Sequence, residues 1–211
     1  MNESPSEPAD RQTIVTLDLE GVLVPEIWIA VAERTGIEAL RRTTRDEPDY
    51  DVLMRGRLEI LAQHGLTMSA VAEVIAGLSP LPGAADFLTE LRRRTQVIIL
   101  SDTFEEFGRP LMEQLGWPTI LCHRLVVVDD RIVDYRLRMS DQKRHAVRAL
   151  RDLNYQVAAA GDSYNDTSML AEAHAGFLFR APERVRSEFP HFPAVDEYGD
   201  LLTLLREALG L

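Results

Sequence analysis

The alternation of hydrophobic and polar positions divides the chain into stretches of different character. Met1 to Arg11 is polar and proline-bearing with nothing to bury, and it reads as a disordered tail. From Pro25 to about Ser79 apolar residues recur at helical spacing. Pro25 marks a helix start, Gly36, Gly65 and Gly77 mark stops, and no strand is predicted there. From Leu81 the pattern alternates. It predicts a helix over Gly83–Arg94, a strand over Gln96–Leu100 and a helix over Glu105–Leu115, then two strands around an Asp-Asp-Arg turn within CHRLVVVDDRIVDYRL. A helix over Asp141–Leu153, a strand over Gln156–Gly161, a helix over Asp166–Ala173 and a short strand over Gly176–Phe179 follow.

Strands alternating with helices predict an α/β fold, a mostly parallel sheet covered on both sides. The all-helical stretch is then an insertion after the first strand. The expected organisation is a tail over 1–11, a core built from 12–24 and 81–211, and a small helical cap over 25–80.

With 211 residues, 45% of them hydrophobic, the chain is long enough to bury a full core. Its 23 basic and 34 acidic residues give a net charge of -11, which repels phosphate backbones and anionic lipid, so neither nucleic acid nor a membrane is expected as a partner. No apolar run approaches the roughly 20 residues that span a bilayer, and no basic segment followed by a long hydrophobic one opens the chain, so a cytoplasmic location is expected. Cys122 is the single cysteine and reads as a small apolar filler. The oligomeric state is left open, a homodimer being compatible with everything above.

The chemistry gathers where strands end. The apolar run Thr13–Pro25 carries Asp18 and Glu20 one residue apart before Gly21, and unpaired carboxylates buried in such a strand are costly. The Gln96–Leu100 strand delivers Ser101-Asp102-Thr103, and the Gln156–Gly161 strand leads into Gly-Asp-Ser-Tyr-Asn-Asp, Gly161 to Asp166. Ligands of open parallel sheets bind outside the carboxyl ends of the strands, so these clusters should share one crevice. Taken singly, Ser101, Thr103, Asp162 or Asp166 could each simply cap a helix. Clustered carboxylates repel one another, and the usual relief is a hard divalent cation. Magnesium on Asp18, Asp162 and the backbone carbonyl of Glu20 is a sufficient set. Amides after Ser101, at the start of the next helix, and the Ser101 hydroxyl would receive a phosphate. Lys143 is a candidate charge for the same anion, although spacing alone favours a solvated surface lysine.

Asp18-x-Glu20-Gly-Val, the apolar strand plus Ser101, the downstream Lys143 and Gly161-Asp-Ser-Tyr-Asn-Asp166 resemble the four ordered motifs of the haloacid dehalogenase-like phosphohydrolases, which have a Rossmann-like core. Within that superfamily the chain resembles the phosphoserine phosphatases, and among them the bifunctional phosphoserine phosphatase and homoserine phosphotransferase branch. The likeness runs from about Thr13 to the C-terminus and is most specific in LDLEGVLVPEIW and AAGDSYNDTSML. The family usually has Asp where Glu20 stands; the branch has Glu.

The resemblance implies a magnesium-dependent phosphatase of serine biosynthesis acting on L-phosphoserine, with homoserine as an alternative phosphoryl acceptor. It makes Asp18 the nucleophile that forms an aspartyl-phosphate and Glu20 the acid and then the base, with its pKa raised relative to Asp18. Lys143 and the Ser101-Asp102 loop would offset phosphoryl charge, and Asn165 would hydrogen-bond phosphate or substrate. On the helix around Tyr50–Gln63 a wheel puts Arg57 within the stripe of Tyr50, Leu53, Met54, Leu58, Ile60 and Leu61, and points Arg55 away. Periodicity leaves Arg57 either snorkelling to the rim or facing an anion. The family's cap motif favours a clamp on the substrate carboxylate. Glu26, expected in the first turn of the first cap helix, either complements its dipole or, by the resemblance, holds an ammonium group. Two other readings stay open: a capped phosphatase for another small phosphomonoester, and a phospho-accepting receiver module.

Overall fold

The computed structural model describes residues 11–44, 46–47 and 49–211; of the predicted tail only Arg11 lies among them. Its centre is a seven-stranded sheet in the order β4-β3-β2-β1-β5-β6-β7. The strands are β1 (Thr13–Leu17), β2 (Gln96–Phe104), β3 (Thr119–Val128), β4 (Arg131–Arg136), β5 (Gln156–Gly161), β6 (Ala175–Phe179) and β7 (Ala194–Val195). All neighbours pair in parallel except the β3–β4 hairpin. β1 lies between β2 and β5, so Asp18 leaves the middle of the sheet, and its N–H still donates to Ala160.

Alternate residues of the central strands feed opposite cores. Val15 and Leu17 of β1 and Ala158 and Ala160 of β5 pack with α4 (Ala84–Arg92), α5 (Glu105–Gln114) and α9 (Tyr198–Leu209). Ile14, Val157 and Ala159 face α6 (Gln142–Asp152), α7 (Thr167–Glu172) and α8 (Glu183–Glu188). That two-sided burial is what a near-continuous apolar strand pattern requires. The pattern assigned nothing beyond Phe179, where the structure adds α8, β7 and α9.

Between β1 and α4 lie α1 (Ile27–Thr35), a single 3-10 turn (Glu38–Arg41), α2 (Tyr50–His64) and α3 (Met68–Ala76). Gly36 and Gly65 end α1 and α2 in the left-handed conformation, at φ of 72° and 62°. Asp49 caps α2 by accepting from the amides of Asp51 and Val52. The segment leans on the β3–β4 hairpin, where Arg55 pairs with Asp134 at 2.9 Å and the Ser69 amide and hydroxyl donate to Asp130.

Two expectations change. α1 begins at Ile27, which places Glu26 at the N-cap outside the first turn, and its side chain makes no capping bond. β2 runs on to Phe104, with a register shift between Leu100 and Phe104, so Ser101–Thr103 belong to the strand and α5 starts only at Glu105. Neither Ser101 nor Thr103 caps it, since Phe104 is the N-cap.

Candidate active site

The C-terminal ends of β1, β2 and β5 open under α1 and α2 into a cleft of about 610 Å³, its mouth included. All nine residues singled out from sequence line it: Asp18, Glu20, Glu26, Arg57, Ser101, Asp102, Lys143, Asp162 and Asn165.

At its floor Lys143, the second residue of α6, is 2% exposed, not the surface lysine that spacing favoured. Its ammonium donates to Asp18 Oδ1 at 2.8 Å and to Asp166 Oδ1 at 2.7 Å, and lies 3.7 Å from Asp102. Burial works against that charge, but Asp166, Asp18 and Asp102 together hold the ammonium well above its ordinary pKa. Asp166 is fully buried, and its other oxygen accepts from the amides of Asp162 and Ser163 at 3.0 and 3.2 Å. The capping reading is therefore right in part. Asp166 closes a capping box with Ser163 and at the same time anchors Lys143.

Asp18, Asp162 and Asp166 bring carboxylate oxygens within 4.8 Å of one another. Burial, then the charge of Asp166, then that of Asp162 push the Asp18 carboxyl well above its ordinary pKa, against the pull of Lys143. Three buried carboxylates, with one ammonium bonded to two of them, are short of positive charge. An all-oxygen donor set of that kind fits a hard cation, with Asp18 and Asp162 the better ligands because Asp166 is already bonded on both oxygens. Gly21 keeps the turn beside this cluster. It sits at φ +77°, and a Cβ there would fall 2.6 Å from Asp162 Oδ2.

Glu20 stands apart from the lysine. Its Oε2 accepts from the Ile27 amide at 2.9 Å, so this carboxylate occupies the N-terminus of α1 in place of Glu26. Burial, then the charge of Glu26, push its carboxyl to about 7, against the Ile27 amide, Arg57 and Thr103.

Across the cleft Arg57 is buried and Arg55 exposed, as the helical wheel places them. The Arg57 guanidinium stacks 4.6 Å over Trp28 and donates one N–H to the carbonyl of Arg42, while its Nε has no hydrogen-bond partner among the described residues. Burial lowers its pKa to about 10 despite Glu20, Tyr50 and Glu26. An orphaned N–H on a buried cation is expensive and points to an anion that completes it.

Asp102 behaves as a hub. Its Oδ1 accepts from Gln142 at 3.1 Å and its Oδ2 from Asn165 at 2.9 Å, while its carbonyl accepts from the Tyr50 hydroxyl at 2.9 Å. Burial disfavours its charge, but Lys143 and donors from His123, Asn165 and Gln142 hold it below the ordinary carboxylate range. Sequence reasoning did not single out Tyr50 as a site residue, nor Gln142, His123 or Trp28. Tyr50 and Trp28 carried only an apolar signal, and Gln142 was visible only as the neighbour of Lys143 in SDQKRHAV.

Residues 13–174 match the model of the haloacid dehalogenase-like hydrolases. Over 189 residues the chain is 65% identical to phosphoserine phosphatase ThrH of Pseudomonas aeruginosa, covering 89% of this chain and 92% of that protein. A phosphoserine phosphatase of Pseudomonas syringae pv. tomato is 61% identical over 89% of this chain and 80% of its own length. Among solved structures, a phospho-aspartyl intermediate analogue of phosphoserine phosphatase matches with a TM-score of 0.77 over 92% of this chain and 99% of that one. At 19% identity that likeness concerns the fold. The chain belongs to the haloacid dehalogenase-like hydrolases.

Proposed function

We propose that this protein is a magnesium-dependent phosphoserine phosphatase that works through an aspartyl-phosphate on Asp18. The observation that carries the reading is the pairing of two unfinished charges in one cleft: the carboxylate cluster around Lys143 and the bare Nε of Arg57 above it. The substrate is inferred from the two pseudomonad relatives, both phosphoserine phosphatases.

Magnesium, held by Asp18, Asp162 and the Glu20 carbonyl, would supply positive charge to the phosphoryl oxygens and keep Asp18 ionised. Lys143 fixes Asp18 Oδ1 and leaves Oδ2 as the attacking atom. A bond forms from Oδ2 to phosphorus as the bond to the serine oxygen breaks, and Glu20 gives its proton to that oxygen. With a pKa of about 7 Glu20 can then take a proton from the water that attacks phosphorus, releasing phosphate and restoring Asp18. Arg57 pairs with the substrate carboxylate and Glu26 with its ammonium, while the Ser101 hydroxyl and Asn165 hold the phosphoryl end. We treat 12–24 and 81–211 as the core and 25–80 as the cap, whose Tyr50 hydroxyl reaches the Asp102 carbonyl.

Homoserine keeps the amino and carboxylate groups of serine with one more methylene, a difference a pocket discriminates only about 10- to 200-fold. Its hydroxyl can therefore replace water, with Glu20 as base. The deciding experiment is phosphate release from phosphoserine, with magnesium and with EDTA, by the parent and by Asp18→Asn. Turnover with magnesium that falls at least about 10³-fold in the variant supports the reading. Near-parental turnover by Asp18→Asn removes it as nucleophile, and a preference for another phosphomonoester overturns the substrate. Mass spectrometry of phosphoserine with saturating homoserine tests the transfer, which fails if only inorganic phosphate appears.

A further inference from the structure

We propose that His123 is a positioning residue of this site: from β3 it holds the Asp102 carboxylate, and through it the Ser101–Thr103 segment and Asn165, in the arrangement that receives a phosphoryl group. The proposal rests on the phosphatase reading of the cleft.

His123 is 4% exposed and has no part in the chemistry above. Its Nδ1 accepts from the backbone N–H of Arg138 at 3.1 Å, which puts a hydrogen of the ring on Nε2. Two atoms lie 3.5 Å from Nε2: Asp102 Oδ1 and Gln142 Nε2. Gln142 is oriented by its Oε1, which accepts from Arg138 Nε at 3.0 Å, so its Nε2 is a donor, directed to the Ser101 carbonyl at 2.5 Å and Asp102 Oδ1 at 3.1 Å. Two donors do not bond each other. The Nε2–H of His123 is therefore left to Asp102 Oδ1, 3.5 Å away in a buried setting.

The consequence lies in the peptide units. The Ser101 carbonyl is tied to Gln142 and the Asp102 carbonyl to Tyr50. In a trans peptide the N–H points opposite the carbonyl of the same unit. Pinning both carbonyls thus fixes the direction of the Asp102 and Thr103 amides, the latter donating to Ser101 Oγ at 3.2 Å. Asp102 ties these units to Asn165, and it is an anion beside a site for an anion. It is tolerated there only while its lone pairs are engaged, and His123 and Gln142 engage the oxygen that Asn165 does not. Rigid placement of such donors is worth most at the reacting group, so the effect should appear in turnover.

The test compares His123→Ala and His123→Gln with the parent on phosphoserine and on p-nitrophenyl phosphate. We expect Ala to lower kcat about tenfold or more on both esters with KM for phosphoserine within about threefold, because the clamps on the amino acid are untouched. Gln, whose amide N–H reaches toward the same oxygen, should recover most of that loss. In an Asp102→Asn background His123→Ala should cost little further, since the residues act as a unit. A kcat for His123→Ala within about twofold of parent overturns the proposal. So do equal losses in Ala and Gln accompanied by a lower Tm and a raised KM, the mark of a ring that only fills space. Should Ala fail to fold, a folded Gln variant with kcat down more than about tenfold overturns it, and one near parental supports it. A parent that hydrolyses p-nitrophenyl phosphate but not phosphoserine defeats the substrate reading and leaves the comparison decisive on p-nitrophenyl phosphate. A parent that hydrolyses neither defeats both.

Discussion

Glu20 takes the Ile27 amide on one oxygen and carries a pKa of about 7, so at neutral pH it has a proton to give and soon after a place to receive one. Replacing it by Gln should slow hydrolysis of phosphoserine about 10²–10⁴-fold, but that of p-nitrophenyl phosphate much less, because p-nitrophenolate leaves unaided. Equal losses on the two esters would count against it as the acid. Asp102 makes the opposite electrostatic statement. A carboxyl held below its ordinary pKa in the fold contributes stability that is full above the unfolded value, starts to decline there as pH falls, and is lost only as pH falls on through the depressed folded value. Asp102→Asn should therefore cost about 1–3 kcal/mol in urea unfolding near pH 7, with the gap shrinking toward about pH 3. A gap independent of pH would show that the charge contributes nothing. Asp18, Glu20 and Asp102 were legible because carboxylates at strand ends are conspicuous. His123 was not, because a histidine in an apolar strand looks like filler.

At the scale of the element, α2 brings two polar groups to the cleft, Tyr50 from its first turn and Arg57 about two turns later, with Leu53 between them. Periodicity showed the buried stripe and left open what Arg57 met, because a wheel gives direction and no partner. Arg57→Ala should sharply weaken turnover of phosphoserine yet spare an ester without a carboxylate; a uniform loss would make Arg57 a brace for the helices. The end of β5 shows a different dependence. A Cβ at Gly161 would sit 2.4 Å from Cβ of Asp166, which is backbone-proximal and unable to swing aside. Gly161→Ala should thus destabilise by about 2–4 kcal/mol and displace the anchor of Lys143, seen as lower Tm and lower kcat together. A variant unaltered in both would mean that the loop yields easily. The extension of β2 through Ser101 was not foreseen because Ser-Asp-Thr is poor strand sequence; pairing with β3 across an irregular register overrides that propensity.

For the whole molecule, the balance of charge in the cleft makes a thermal prediction. Three buried carboxylates repel one another beside Lys143, so magnesium at a hundredfold excess over Kd should stabilise the fold by about 3 kcal/mol, read as a higher Tm that EDTA reverses. Asp162→Asn should abolish most of that shift, and a shift that survives in the variant would place the ion elsewhere. The chain by itself determined the order of strands and helices as far as β6, the helical insertion after β1, and the convergence of three strand ends, because side-chain periodicity and parallel-sheet topology follow from local chain geometry. Its motifs also specified the carboxylates. Tertiary structure alone decided that Lys143 is buried between Asp18 and Asp166, and that Glu20 rather than Glu26 takes the amide at the start of α1. It alone tied Asp102 to Tyr50, Gln142 and Asn165. These are contacts between residues far apart in sequence. Their energies depend on distance and desolvation, quantities that a linear pattern does not contain.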